Sequence, residues 1–217
     1  MSDIIERREE ERERRRTDII DAAEALYAEK GWDAVTMDQV ARATRLSRAL
    51  LYVYFSDKND LHLAIVERAM KALSRRFLGA INEHHLGIDK LGAIGHAYLA
   101  FSREAPHLFD ACSRFQIHQG NRAGEGSHAE AACIAAGEEA HAVVVAALLS
   151  GIEDGSVRRD VGDADAVCIA LWAFSHGLIQ LASTKAASIS RIGVDGEKLM
   201  DQSLALVMYS LAPPQAG

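Results

Sequence analysis

The sequence predicts an all-α chain of about nine helices, and three observations carry that prediction. Only three prolines occur in 217 residues, and alanine and leucine are abundant, so little interrupts helix formation. Apolar residues recur at helical spacing, and glycine- and aspartate-rich breakers divide the chain into helix-length segments. A composition of 49% hydrophobic and 25% charged residues is that of an ordinary globular protein, between one domain and two in length.

Charge and cysteine usage narrow the class further. The net charge of −7 argues against attraction to a polyanion over the whole surface, so any such footprint must be local. Cys112, Cys133 and Cys168 are odd in number and widely spaced, which suits reduced thiols in a cytosol better than a disulfide framework. The chain starts without a secretory h-region, and we find no apolar run of membrane-spanning length. A soluble, cytoplasmic protein without a membrane partner is expected.

Residues 1–16 form a charged arm, "DIIERREEERERRR" from residue 3, with no apolar stripe after Ile5. A solvated helix or a disordered arm fits that pattern, and Arg14, Arg15 and Arg16 could extend a basic footprint. A small helical head follows over residues 17–66. Ile19, Ile20, Ala23, Leu26 and Tyr27 mark a first amphipathic helix that Gly31 ends. Thr36 and Gln39 have the spacing of a capping box, opening a second helix through Val40, Ala41 and Ala43. Ser47 can cap a third helix carrying Leu50, Leu51 and Tyr52, and Ser56 or Asp57 a fourth that opens with Lys58.

Two short helices joined by a three-residue turn and braced by a preceding helix make a helix-turn-helix, whose second helix enters the DNA major groove. Such a unit needs donors aimed at phosphates on both groove walls. Arg42, Arg45, Arg48 and Lys58 face one acid, Asp57, within residues 40–58, a local charge of +3 in an acidic chain. Residues 1–60 as a whole carry −3, so this face works against its own arm and first helix.

Residues 18–66, "DIIDAAEALYAEKGWDAVTMDQVARATRLSRALLYVYFSDKNDLHLAIV", resemble the DNA-binding head of the TetR family of bacterial transcriptional regulators. The resemblance implies that Thr36 and Tyr52 contact phosphates, that Ser47, Arg48 and Ala49 begin the reading helix, and that Lys58 grips the DNA backbone. Tyr54 stands where the family often has another phosphate contact. Arg45 departs from the family, which usually has glycine in the turn; it must take a left-handed backbone at about 1 kcal/mol or change the turn. Ala49 and Leu50 replace a more usual glycine and threonine, trading a small polar contact for an apolar one. Phe55 reads as a core aromatic of the head.

The body, residues 67–212, follows the family's general plan. Helix four should run to about Glu83, helix five over 88–103, helix six from Pro106, helix seven over 127–153, helix eight from an Asp160 or Asp163 cap to about 186, and helix nine over 195–211. The glycine-rich stretch 118–127 reads as the longest loop. Helix eight is apolar on more than one face, and the resemblance implies a homodimer built from the last two helices. Phe174, Leu178 and Leu181 on helix eight, with Leu204 and Met208 on helix nine, are the expected dimer stripe, although the same spacing also fits an internal core.

The string "WAFSHGL", residues 172–178, resembles a pattern of some TetR regulatory domains. Trp172 and His176, with Tyr98, Phe101, Phe109 and Phe115, are candidates to line a pocket for a small, lipophilic effector; ordinary core packing is the competing reading. The expected function is thus a ligand-responsive repressor that binds a palindromic DNA operator as a homodimer.

No cofactor is expected, and the metal reading rests on little: Cys112 with His118, and the i, i+3 pair Glu138 and His141. A metal- or haem-sensing regulator is therefore one alternative, and a helical interaction protein that has lost DNA binding is another. No phosphate-cradling loop, nucleophile elbow or H-E-x-x-H occurs, so an enzyme is not expected.

Overall fold

The computed structural model describes residues 2–116 and 127–214, with side chains from Ile5 onward. All regular structure among them is helical, in two compact units. The first comprises residues 1–70 and 105–135, and the second residues 71–104 and 136–217. The stretch 118–127, expected as the longest loop, falls outside the described residues except for Ser127.

In the first unit, α1 (Ser2–Lys30) is continuous, so the charged arm and the first helix of the head are one element. Its exposed start is laced by pairs of Glu11 with Arg14 and Arg15 and of Glu13 with Arg16, at 2.6, 2.9 and 3.8 Å. Pairs at this spacing support a solvated helix by a few tenths of a kcal/mol each, roughly. Farther along, Ile19, Ile20, Ala23 and Tyr27 are buried. Gly31, at φ 79°, turns the chain into a short 3-10 segment, Trp32–Ala34.

Helix α2 (Met37–Ala43) opens on the full capping box: Thr36 Oγ1 accepts from Gln39 N at 3.3 Å, and Gln39 Oε1 from Thr36 N at 3.0 Å. Helix α3 (Arg48–Tyr54) is capped by Ser47, whose Oγ accepts from Leu50 N at 3.2 Å. Asp57 caps α4 (Lys58–Ile81) by accepting from Asp60 N at 2.8 Å. Val40, Leu51, Phe55, Leu61 and Ile65 are fully buried, so Phe55 is the core aromatic its sequence context suggests. Helix α6 (Pro106–Arg114) closes this unit against α1, and residues 128–135 of α7 (His128–Asp154) complete it.

The second unit holds the rest of α4 and α7 together with α5 (Gly87–Glu104), α8 (Ala164–Thr184), α9 (Ala186–Arg191) and α10 (Gly196–Leu211). The described residues form ten α-helices, one more than expected: α8 ends at Thr184, and the short α9 lies in what was read as the connection between helices eight and nine. Asp163 caps α8 and Asp195 caps α10. Helices α5 and α7 touch backbone to backbone at Gly87 and Gly151; a Cβ on Gly87 would clash with Gly151 N and Cα and lie 2.7 Å from Ala147 O.

The expectation that no run reaches membrane-spanning length needs correcting. By length and composition alone α7 and α8 are apolar enough to cross a membrane, because alanine and valine fill α7, and α8 carries apolar residues on several faces.

Candidate nucleic-acid interface and effector site

The turn between α2 and α3 is closed by a Schellman arrangement. Leu46 N donates to Ala41 O at 2.9 Å and Arg45 N to Arg42 O at 3.2 Å, which places Arg45 at the position that calls for a left-handed backbone. Arg45 adopts it, with φ 55°, alone in this respect among the described non-glycine residues. The turn thus keeps the geometry glycine would give it, at a cost of about 1 kcal/mol.

The closed turn leaves one side of α3 in solvent. Leu51 is buried, whereas Arg48, Ala49, Leu50, Tyr52 and Val53 are exposed. The Arg48 guanidinium lies 5.7 Å from the Tyr52 ring centroid, and its Nε is 3.3 Å from Asp38 Oδ1 on α2. Arg42, Arg45 and Ser47 are also exposed, and Thr36 remains exposed at the start of α2 despite its capping role. Asp38, Arg48 and Tyr52 thus form one linked, solvent-facing group across α2 and α3.

Two of the expected contact residues are engaged elsewhere. Lys58 Nζ donates to Trp32 O at 2.7 Å and to Asp33 O at 3.4 Å and sits 5.0 Å from the Trp32 ring centroid, bracing the 3-10 segment; of the three ammonium protons one remains. Tyr54 is half-buried and lines a groove of about 590 Å³ with Glu13, Arg16 and Asp57. Asp38 and Val53 belong to the exposed surface although sequence reasoning passed over them; Val53 was within reach, since it lies one turn beyond Ala49.

A polar network holds α6 to the head. Tyr27 Oη donates to Asp110 Oδ2 at 2.7 Å, and Arg114 donates to Asp110 at 2.8 Å and through both terminal nitrogens to Asp33 at 3.0 and 3.3 Å. Burial and the neighbouring Asp110 carboxylate push the Tyr27 phenol far above its ordinary range, so it stays a donor. His62 lies between Trp32 and Tyr27, at centroid distances of 4.8 and 6.0 Å, and its Nε2 is buried without a partner among the described residues.

In the second unit the structure joins three of the proposed effector residues. Tyr98 Oη is 2.9 Å from His176 Nδ1 and accepts from Trp172 Nε1 at 3.2 Å. The indole can only donate, so the phenolic oxygen accepts from it, and the bond to His176 runs in the direction set by the tautomer of the neutral imidazole. Burial lowers the His176 pKa and favours this neutral form. Phe77 packs edge-on against Tyr98 at 6.3 Å, and Phe101 is buried on the same helix as Tyr98. Phe109 and Phe115 belong to the first unit.

Residues of the expected dimer stripe divide by exposure. Phe174 and Leu181 are exposed on α8, together with Ile169 and Trp172. Leu178 is half-buried. Leu204 and Met208 face α5, where Gly95 and Gly92 leave room for them, and the outermost apolar side chains of α10 are Leu206 and Tyr209. Phe174, Leu171, Leu206 and Val207 line an open groove of about 560 Å³ between α8 and α10.

Among the described residues no group of three histidine, cysteine or acidic side chains is placed to hold a metal. His141 pairs with Asp165 of α8 at 2.9 Å, and His118 lies outside the described residues. Burial pushes the Cys112 and Cys133 thiols up to about 12, which keeps them protonated.

Comparison with known proteins agrees with this architecture. Residues 19–65 match the model of the tetR family of bacterial regulatory proteins, and residues 91–207 that of the tetracyclin repressor-like C-terminal domain. The negative transcriptional regulator IcaR of the biofilm operon icaADBC from Staphylococcus aureus is 32% identical over 73 residues, 34% of this chain and 39% of IcaR. The chain thus spans well under half the length of that relative. The transcriptional regulator TtgR of Pseudomonas putida is 24% identical over 213 residues, 96% of this chain and 99% of TtgR. The fold matches that of FadR from Bacillus subtilis, solved with stearoyl-CoA, with a TM-score of 0.67 at 16% identity, covering 90% of this chain and 98% of FadR. With a helix-turn-helix head and a regulatory-domain match that alone spans more than half its length, the chain belongs to the tetR family of bacterial regulatory proteins.

Proposed function

We propose that this regulator is a ligand-responsive repressor that binds a palindromic operator as a homodimer. The observation that carries the reading is that Arg42, Arg45, Arg48 and Tyr52 of the α2–α3 segment are exposed together with Leu50 and Val53, while Leu51 anchors α3 from its buried side. Thr36, Ser47, Ala49 and Lys58 complete the proposed contact set. Tyr54 is its outlying member, because it is half-buried in a groove. A twofold dimer would present two such heads to two half-sites one helical turn of DNA apart.

The effector is proposed to be lipophilic and to carry a polar group. Support comes from the Tyr98, Trp172 and His176 cluster, which joins a hydroxyl and ring nitrogens to an aromatic ring packed against Phe77, and from the stearoyl-CoA bound by Bacillus subtilis FadR. Such a ligand lowers operator affinity only to the extent that it binds the two conformations of the dimer differently.

The test is selection of duplexes from a labelled random library by the purified protein at several salt concentrations. Enrichment of a palindrome with a steep salt slope is the expected result. Retention of no duplex at low salt by folded protein would refute the reading.

A further inference from the structure

The reading helix offers DNA more carbon than charge. Ala49 and Val53 are four residues apart and Leu50 and Val53 three, so the three share one face of α3. That face is uncovered: Val53 is 67% exposed, the highest among the described large hydrophobic residues of the first unit, and Leu50 is 38% exposed. Its surroundings name the occupant. Arg42, Arg45 and Arg48 are exposed in the same short segment, whose net charge is +3, which suits a polyanion and not an apolar protein surface. In the major groove of duplex DNA the apolar group available to such a strip is the 5-methyl of thymine.

From this we infer that Leu50 and Val53 read thymine 5-methyl groups in the operator half-site. The inference rests on the DNA-binding reading above and states what that surface recognises. Ala49, with a single methyl, lets the helix come close to the bases. Arg48, held between Asp38 and Tyr52, supplies one polar readout beside the methyls, by geometry suited to the O6 and N7 of a guanine. The half-site therefore contains thymines, and an operator in which cytosines replace them is a poor one.

The experiment replaces thymidine by deoxyuridine, one position at a time, in the duplex recovered from the library selection, and measures affinity for the unaltered protein, Leu50→Ala and Val53→Ala. Uracil pairs as thymine does and removes only the methyl. The expected result is a loss of about fourfold at each methyl read by the unaltered protein, the equilibrium equivalent of burying one methyl-sized group. Each variant should lose its sensitivity at one of those positions. Equal binding of uracil and thymine duplexes by the unaltered protein overturns the inference, and that comparison needs no variant. A methyl effect undiminished in both variants also overturns it, since the methyl would then act through DNA shape. If folded protein retains no duplex, the DNA-binding reading falls first; a methyl-insensitive operator leaves that reading intact and removes only this one.

Discussion

Arg48 Nε on α3 lies 3.3 Å from Asp38 Oδ1 on α2, so an acid on one helix of the pair holds the principal cation of the other. Both side chains are solvent-exposed, and an exposed ion pair adds little stability. Its consequence is positional: the guanidinium is steered over Tyr52, and a negative charge stands on the surface proposed to meet DNA. Asp38→Asn should therefore leave the unfolding midpoint within experimental scatter. It should raise affinity for random duplex about two- to threefold at low salt while lowering the ratio of operator to random affinity. Anisotropy titrations on both duplexes check this, and an increased ratio would show that Asp38 opposes Arg48 and does not aim it.

Arg45 carries two effects of opposite sign. Its left-handed backbone strains the fold, and its charge serves the proposed footprint. Arg45→Gly should raise stability by about 1 kcal/mol, because glycine takes this φ without steric cost in a Schellman turn. The same variant should bind operator more weakly and with a salt slope reduced by about one. Chemical denaturation and salt-dependent titrations would measure the two effects separately. A variant that is less stable than the unaltered protein would show that the arginine side chain contributes packing beyond its strained backbone.

The head was legible in the sequence because its signals are local. Thr36 and Gln39 form the capping box that their spacing announces, and Ser47 caps α3, since each bond spans three residues. What sequence could not give was set by long-range packing. The stripe on α10 turned on which side of the helix meets Gly92 and Gly95, some 110 residues earlier, and helical spacing alone does not decide that. Lys58 likewise reaches back to Trp32 O, a contact no local pattern encodes. The Tyr98, Trp172 and His176 cluster lies between these cases: the four-residue spacing placed two members on one face, and only the fold brought Tyr98 to them.

His62 makes stability depend on pH. It is 8% exposed, and burial lowers its pKa from an ordinary 6.5 to about 4, with the Arg114 charge adding to the shift. Asp110 and Asp33 oppose the shift and Lys58 reinforces it. In the unfolded chain the imidazole takes up a proton near 6.5, before the folded protein does. The stabilisation from a neutral, buried His62 is thus complete above about 6.5 and is lost as pH falls to about 4. About 3 kcal/mol should disappear across that window. Denaturant midpoints measured at intervals through it, for the unaltered protein and for His62→Phe, check this. The aromatic variant keeps a ring against Trp32 and Tyr27 and should show a flatter profile; an identical profile would assign the acid sensitivity to other groups.

The two faces of α10 make opposite predictions. Leu206 and Tyr209 point outward, 65% and 79% exposed, and Leu206 shares a groove with the exposed Phe174 of α8. Leu204 fills the notch left by Gly95, and Met208 reaches Gly92. A charge at an outward position of a dimer interface interrupts association, whereas a charge in the notch is buried without a partner and costs several kcal/mol, roughly. Leu206→Arg should accordingly give a helical protein that sediments as a monomer at micromolar concentration and binds a single half-site weakly. Leu204→Arg should unfold the second unit at lower denaturant. Sedimentation velocity and circular dichroism separate the two. If Leu206→Arg remains a dimer while Leu204→Arg dissociates without loss of helix, the association surface lies on the side of α10 that here faces α5, and the helix would have to rotate to expose it.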